Sequence, residues 1–280
     1  MADANESGML KVLRTCMGGD AMTMLRSKAV DLAWVIASFG AFFLLWQALS
    51  TWVFNPKVVP GPAHILQLGW AQLLEGRLTV DTEASLGRVV VGLALGSSVG
   101  IVLGLVIGRV LLAERLLEPL VHALRTLTPT ALIPISVVWF GIGEASKYFL
   151  IYWGTVFFVT VNTTAGVKSS PVARIRAAMC LGASRQSIFF LIILPSAIPQ
   201  ILVGIRLAVA SAFMSIVPAE LLAATHGLGA ALAQAAAYNR VDEMFVVLTV
   251  IGFLGFFFDW VVQFVGRTIL GRYTAYVSAL

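Results

Sequence analysis

The chain has 280 residues, a formal charge of +5, 59% hydrophobic and only 12% charged residues, and a mean hydropathy of +0.92. Soluble domains carry about 45–50% apolar and about 25% charged residues, so a water-soluble globule is excluded: too little polar surface remains to cover it. Most of the +5 is the basic excess that sets membrane topology, and nothing supports nucleic-acid binding. The two cysteines, Cys16 and Cys180, form neither a disulfide framework nor a metal-ligand spacing.

Residues 1–28 are polar and mixed in charge. The apolar run that follows exceeds the about 7–15 residues of a signal-peptide core, so it is expected to remain as an anchor behind a short cytoplasmic segment. Charge-free windows of 20 to 25 residues cover 32–56, 89–108, 148–167 and 186–205. Roughly 20 apolar residues cross a hydrocarbon core about 30 Å thick, and the alternating pattern of a transmembrane barrel is absent. The expected fold is therefore an all-α polytopic membrane protein with about six transmembrane helices, over 29–49, 86–108, 120–140, 148–166, 197–217 and 244–266. Residues 29–280 would form one transmembrane domain. Thirteen basic residues flank one set of span ends and five the other, which puts both termini in the cytoplasm, because positive charge resists translocation.

In the second span, Gly92, Gly96, Gly100, Gly104 and Gly108 recur every four residues. That one-faced stripe lets a neighbouring helix approach closely, and packing within the chain is favoured over a dimer seam. The third span contains Pro129 and Pro134, each removing a backbone donor and breaking or kinking a helix. Residues 221–239, rich in Ala and Gly, read as a helical turn and loop rather than a seventh span.

Between the fourth and fifth spans lies RIRAAMCLGASRQSIFFLIILPSAIP, Arg174 to Pro199. As one helix it would put Ala177, Ala178, Leu181 and Ile188 on a common apolar side. Such a helix suits a lipid surface or another protein's groove, and the residues alone leave both open. Pro195 is expected to make an elbow between this helix and the fifth span.

The stretch resembles the EAA loop of ABC-importer permeases: Ala177 and Ala178, then Gly182, then Ile192, Leu194 and Pro195, with Arg176 in place of the loop's glutamate. Six further stretches resemble the taurine, aliphatic sulfonate and nitrate permease group: VPGPAHIL, SLGRVVVGLALGSSVGIVLG, LIPISVVWFGIGEASK, GIRLAVA, AELLAATHGLG and IGFLGFFFD. The resemblance implies a type I importer permease with a transport core over about 85–272, sited in the bacterial cytoplasmic membrane. It implies that Arg176, Ala177, Ala178, Gly182, Ala183 and Pro195 couple the chain to a dimer of ATPase subunits. It also implies a second permease copy and a periplasmic or lipoprotein solute-binding protein. No G-x-x-x-x-G-K-[ST] phosphate loop is present, so this chain would bind no cofactor; ATP and magnesium would sit on the partner ATPase, and the chain itself would not be an enzyme.

Ionisable groups at membrane depth each need a reason. Arg206 either attracts an anionic solute or pairs with a carboxylate such as Asp259 or with bared carbonyls. Glu220 either caps the adjoining loop or lines an outer gate, and Asp259 is either the counter-ion of Arg206 or near the inner boundary. Asn162 bonds between helices or lines a polar path. An ion-coupled secondary carrier would show midplane carboxylates and repeated halves; an intramembrane enzyme would show a clustered nucleophile, base or metal set. Neither pattern is visible in the sequence.

Overall fold

A computed structural model describes residues 34, 37, 38, 40–52, 58–221 and 224–277, with side chains as far as Thr268. The segment 1–28 with Cys16, and most of the approach to the first span, lie outside the described residues. Contacts divide the chain into two units, 1–66 and 67–280. In the first, helix α1 is described over 40–52 and Ser50 Oγ donates to the Val59 carbonyl at 2.7 Å. Helix α2, Pro62–Leu74, leads into the second.

The second unit holds α3 (Arg77–Arg109), α4 (Leu111–Leu124), α5 (Ile133–Phe140), α6 (Glu144–Lys168), α7 (Val172–Cys180), α8 (Arg185–Ile188), α9 (Leu194–Glu220), α10 (Leu228–Ala237) and α11 (Val241–Val277). Four helical runs are long and apolar enough to cross a bilayer: Arg77–Arg109, Glu144–Lys168, Arg185–Glu220 and Val241–Thr268. Each outruns its sequence-predicted span because polar turns extend the same helix beyond the apolar window. At 1.5 Å per residue, α3 is about 50 Å long; four of its five charged residues, Arg77, Asp81, Glu83 and Arg88, fall in the first turns and Arg109 ends it.

The span predicted over 120–140 is not one rod. Its first part begins earlier, at Leu111, and α4 meets the Pro129–Phe140 segment at 90°. The residue before a proline is driven from helical to extended backbone; Thr128 has ψ 142°, and Pro129 then opens a short 3-10 turn, Pro129–Leu132, that runs into α5. Residues 221–239 do contain a helix, α10, but ten residues are too short to span.

At the centre is α6, the most buried of the four runs, with α3 on one side and α9 on another. The glycine stripe explains the first contact. A methyl added at Gly100 would stand 2.7 Å from the Val156 carbonyl oxygen and 2.8 Å from Val159 Cβ; at Gly104 it would stand 2.5 Å from Thr163 Cβ; at Gly108, 2.7 Å from Val167 Cβ. The expected packing within the chain is thus what these glycines serve. Gly166 and Gly204 play the same part between α6 and α9, where added methyls would meet Gln200 Cβ at 2.8 Å and Asn162 Cβ at 2.9 Å. Between α3, α6 and α9, Val89, Leu150, Ile151, Val209, Ala212 and Ile216 fill the core.

The single amphipathic helix expected over 174–188 is interrupted. Gly182 has φ 77°; its N–H reaches the Met179 carbonyl and that of Ala183 reaches Ala178, both at 3.0 Å, the bond pair of a Schellman cap. Leu181 is left 88% exposed, whereas Ile188 is buried in the next helix. At Pro195 helical structure is unbroken, running from Arg185 to Glu220. A π-turn, Phe189–Ile193, lies just before it, with the Leu194 N–H bonded to the Phe189 carbonyl, so the ladder is already widened where the proline lacks a donor.

Gly100→Ala is expected to destabilise the purified protein by about 1–3 kcal/mol through overpacking. Gly87→Ala, whose new methyl meets nothing within 4 Å, is expected to be neutral or stabilising; thermal unfolding in detergent compares the two.

Candidate functional site

Two features stand out, at opposite ends of α9. At its C-terminal end, Glu220 is 1% exposed. Its Oε1 accepts from Ser85 Oγ and from Arg88 Nη1, both at 2.7 Å, and its Oε2 accepts from the Gly229 N–H at 2.7 Å. Arg88 also grips Glu144 with two bonds, Nε to Oε2 at 2.7 Å and Nη2 to Oε1 at 2.9 Å, and donates to the His226 carbonyl at 2.8 Å. Lys147 Nζ completes the pairing on Glu144 at 2.7 Å. One guanidinium thereby joins α3, α6, α9 and the turn before α10.

The turn is held by its backbone. Asp81 Oδ1 accepts from the Gly227 N–H at 2.9 Å and Ser85 Oγ from the Leu228 N–H at 2.8 Å. Gly227 has φ 139°, and a methyl there would stand 2.5 Å from the Glu220 carboxyl carbon; at Gly229 it would meet Glu220 Cβ at 2.8 Å. The two glycines of THGLG are therefore needed so that the turn can close over the carboxylate.

At the other end stands α7. None of its residues is buried; Arg176, Ala177, Gly182 and Ala183 are exposed and Ala178 is half-buried. Ser184 caps the helix that follows, accepting from the Ser187 N–H at 3.1 Å. A short, bare helix thus ends in a glycine cap, and a serine-capped helical run that reaches Glu220 begins a few residues later.

The sequence profile described as "binding-protein-dependent transport system inner membrane component" matches residues 96–271. A probable ABC transporter permease protein of Brucella melitensis is 40% identical over 243 residues, covering 87% of this chain and 98% of that one. The chain belongs to that family. The permease is also 32% identical over 239 residues to the taurine transport system permease protein TauC of Escherichia coli, covering 83% and 86%. It is 33% identical over 250 residues to the bicarbonate transport system permease protein CmpB of Synechocystis, covering 84% and 87%. Its fold is shared with a chain of the MetNI methionine ABC transporter in an inward-facing conformation: TM-score 0.53, 20% identity, covering 68% of this chain and 92% of that one.

The permease brings some of its sequence-predicted site residues together and leaves others apart. Arg206 and Asp259 form a bidentate pair, Nε to Oδ1 at 2.6 Å and Nη2 to Oδ2 at 2.8 Å, with side chains 48% and 30% exposed. Glu220 is 14 residues further along α9, about 21 Å away along the axis. Asn162 is half-buried at the α6–α9 contact, and its Nδ2 donates to the Phe158 carbonyl of its own helix at 2.8 Å. The sequence reading missed Ser85 and Arg88 as partners of Glu220, and Asp81, Glu144 and Lys147 as the groups that hold the turn and Arg88 around them. A signal was there: Asp81, Ser85 and Arg88 fall at i, i+4 and i+7, on one face of the helix.

Removing one partner of a buried charge pair costs about 3–5 kcal/mol, mostly for the charge left behind. Arg88→Met is accordingly expected to lower thermal stability by that order, and Arg88→Met combined with Glu220→Gln to recover part of it. A double mutant no better than the single would refute the pairing.

Proposed function

We propose that the permease forms the path for a small anionic or zwitterionic solute entering the bacterial cytoplasm, driven by ATP that a partner ATPase hydrolyses. The observation that carries this is α7: a nine-residue helix with no buried residue, capped at Gly182 and followed within a few residues by a run that continues to Glu220. A bare helix of this kind fits a groove on a partner. Arg176, Ala177, Ala178, Gly182 and Ala183 make the docking surface, and Pro195 lies in the run that conducts the movement. On this reading the Gly182 end and both termini are cytoplasmic, and the Glu220 end faces the solute-binding protein. Two permease copies and two ATPase subunits complete the importer, with ATP and magnesium on the ATPases.

The taurine and bicarbonate relatives are matched almost equally, at 32% and 33% identity, so identity ranks neither solute above the other. Both carry an oxyanion group, and that shared chemistry is the substrate class proposed here. Along the path, Asn162 and the Arg206–Asp259 pair offer polar contacts at membrane depth, and Glu220 fixes the outer turn.

The test is a single-cysteine cross-link. In a background with both Cys16→Ser and Cys180→Ser, Ala177→Cys is expected to cross-link to the co-purified ATPase, and proteoliposomes are expected to take up labelled taurine or bicarbonate only with ATP. Uptake that persists without ATP or ATPase would overturn the reading.

A further inference from the structure

We infer that Arg109 is a positioning residue for transport, passing displacement of the α7–α9 run directly to α3 through its contact with Phe189. The inference rests on the proposal that α7 receives force from an ATPase.

Three observations lead to it. First, α3, α6 and α9 are closely packed over most of their length. The α3 glycines from Gly92 to Gly108 lie against α6, and Gly166 and Gly204 of α6 and α9 seat those two helices on each other at Gln200 and Asn162. Interiors packed this closely transmit displacement rather than absorb it, so the three helices move as a block from about Ala197 towards Glu220.

Second, the run that must drive this block is slackest just before it. The π-turn Phe189–Ile193 replaces i−4 bonds by an i−5 bond, Leu194 N–H to Phe189 carbonyl, and Pro195 adds no donor. π-turns and prolines are where helices bend. A push applied at Arg185 would be taken up there if nothing else tied the segment down.

Third, a tie exists at that place. The Arg109 guanidinium carbon lies 4.4 Å from the centre of the Phe189 ring, within the range of a cation–π contact. Arg109 is the last residue of α3 and follows Gly108, whose Cα is pressed on Val167. Phe189 is the first residue of the π-turn, and its neighbour Ile188 is buried. The contact therefore spans from the weak side of the hinge to the rigid block. A basic residue ending α3 also suits the helix dipole, but that requires no ring beneath it.

The experiment uses the assembled importer in nanodiscs and reads the factor by which its cognate solute-binding protein stimulates ATP hydrolysis, with thermal stability measured in parallel. Arg109→Gln and Phe189→Leu are each expected to cut that factor to less than half its wild-type value while the melting temperature stays within about 2 °C. The double variant is expected to be no worse than the poorer single one, since both break one contact. Arg109→Lys and Phe189→Trp, which keep a cation over a ring, are expected to stay within twofold of wild type. Should Arg109→Gln fail to assemble, Phe189→Leu carries the test alone. Wild-type stimulation in both loss variants, or losses that track melting temperature, would overturn the inference and leave the importer reading intact. An assembly in which α7 never cross-links to an ATPase would overturn both.

Discussion

A carboxylate taken out of water costs several kcal/mol unless charge and hydrogen bonds replace the solvent, and the buried Glu220 makes that demand at the end of the central bundle. Its replacements are three groups on two elements: the Arg88 guanidinium and Ser85 hydroxyl of α3, and the Gly229 N–H in the first turn of α10. Arg88 is then itself partly neutralised by Glu144 at the start of α6. The ends of α3, α6 and α9 are consequently fixed relative to each other by electrostatics, and the turn before α10 is drawn in because its N–H groups are needed. Gly227 and Gly229 follow from this, since any larger side chain would occupy the space of the carboxylate.

Away from that end the same three helices are held by shape. Lipid tails are as apolar as leucine, so association within a bilayer depends on close packing more than on hydrophobicity. Five α3 glycines, with Gly154, Gly166 and Gly204, remove side chains from both faces of α6. The close approach brings hydroxyls to carbonyls across helices, as when Ser211 Oγ donates to the Gly154 carbonyl at 2.6 Å and Thr164 Oγ1 to Gly104 at 3.3 Å. Charge fixes the ends and small residues fix the middle.

The sequence made some of this legible and hid the rest for identifiable reasons. Four of the six expected spans and the glycine packing were readable because hydropathy and a four-residue repeat are local properties. The broken third span was half-readable: Pro129 and Pro134 announced a break, but its 90° angle depends on where α4 and α5 pack. Arg206 and Asp259 were nameable as partners only as one alternative, because a 53-residue separation conceals distance. The Glu220 network was missed more completely. Arg88 and Lys147 were counted as flanking charges that set topology, when both are buried against carboxylates. The reading of 174–188 as one helix failed because periodicity carries through a glycine, whereas a residue at φ 77° ends the helix.

The pairing of these charges bears on how an oxyanion would pass. Arg206 offers the Nε–Nη2 edge of its guanidinium to Asp259, Arg88 is shared between two carboxylates, and Lys168 reaches Glu114 and Glu118 at 2.9–3.0 Å. A lone arginine at membrane depth would hold an anion tightly and retard its exit. A neutral bidentate pair instead presents a dipole, with donors on one side and acceptors on the other. Conduction needs binding strong enough to admit a solute and weak enough to release it. On the function proposed above, selectivity for an oxyanion over other solutes would rest with the binding protein, and a path kept electrically balanced would leave the work of transport to moving helices.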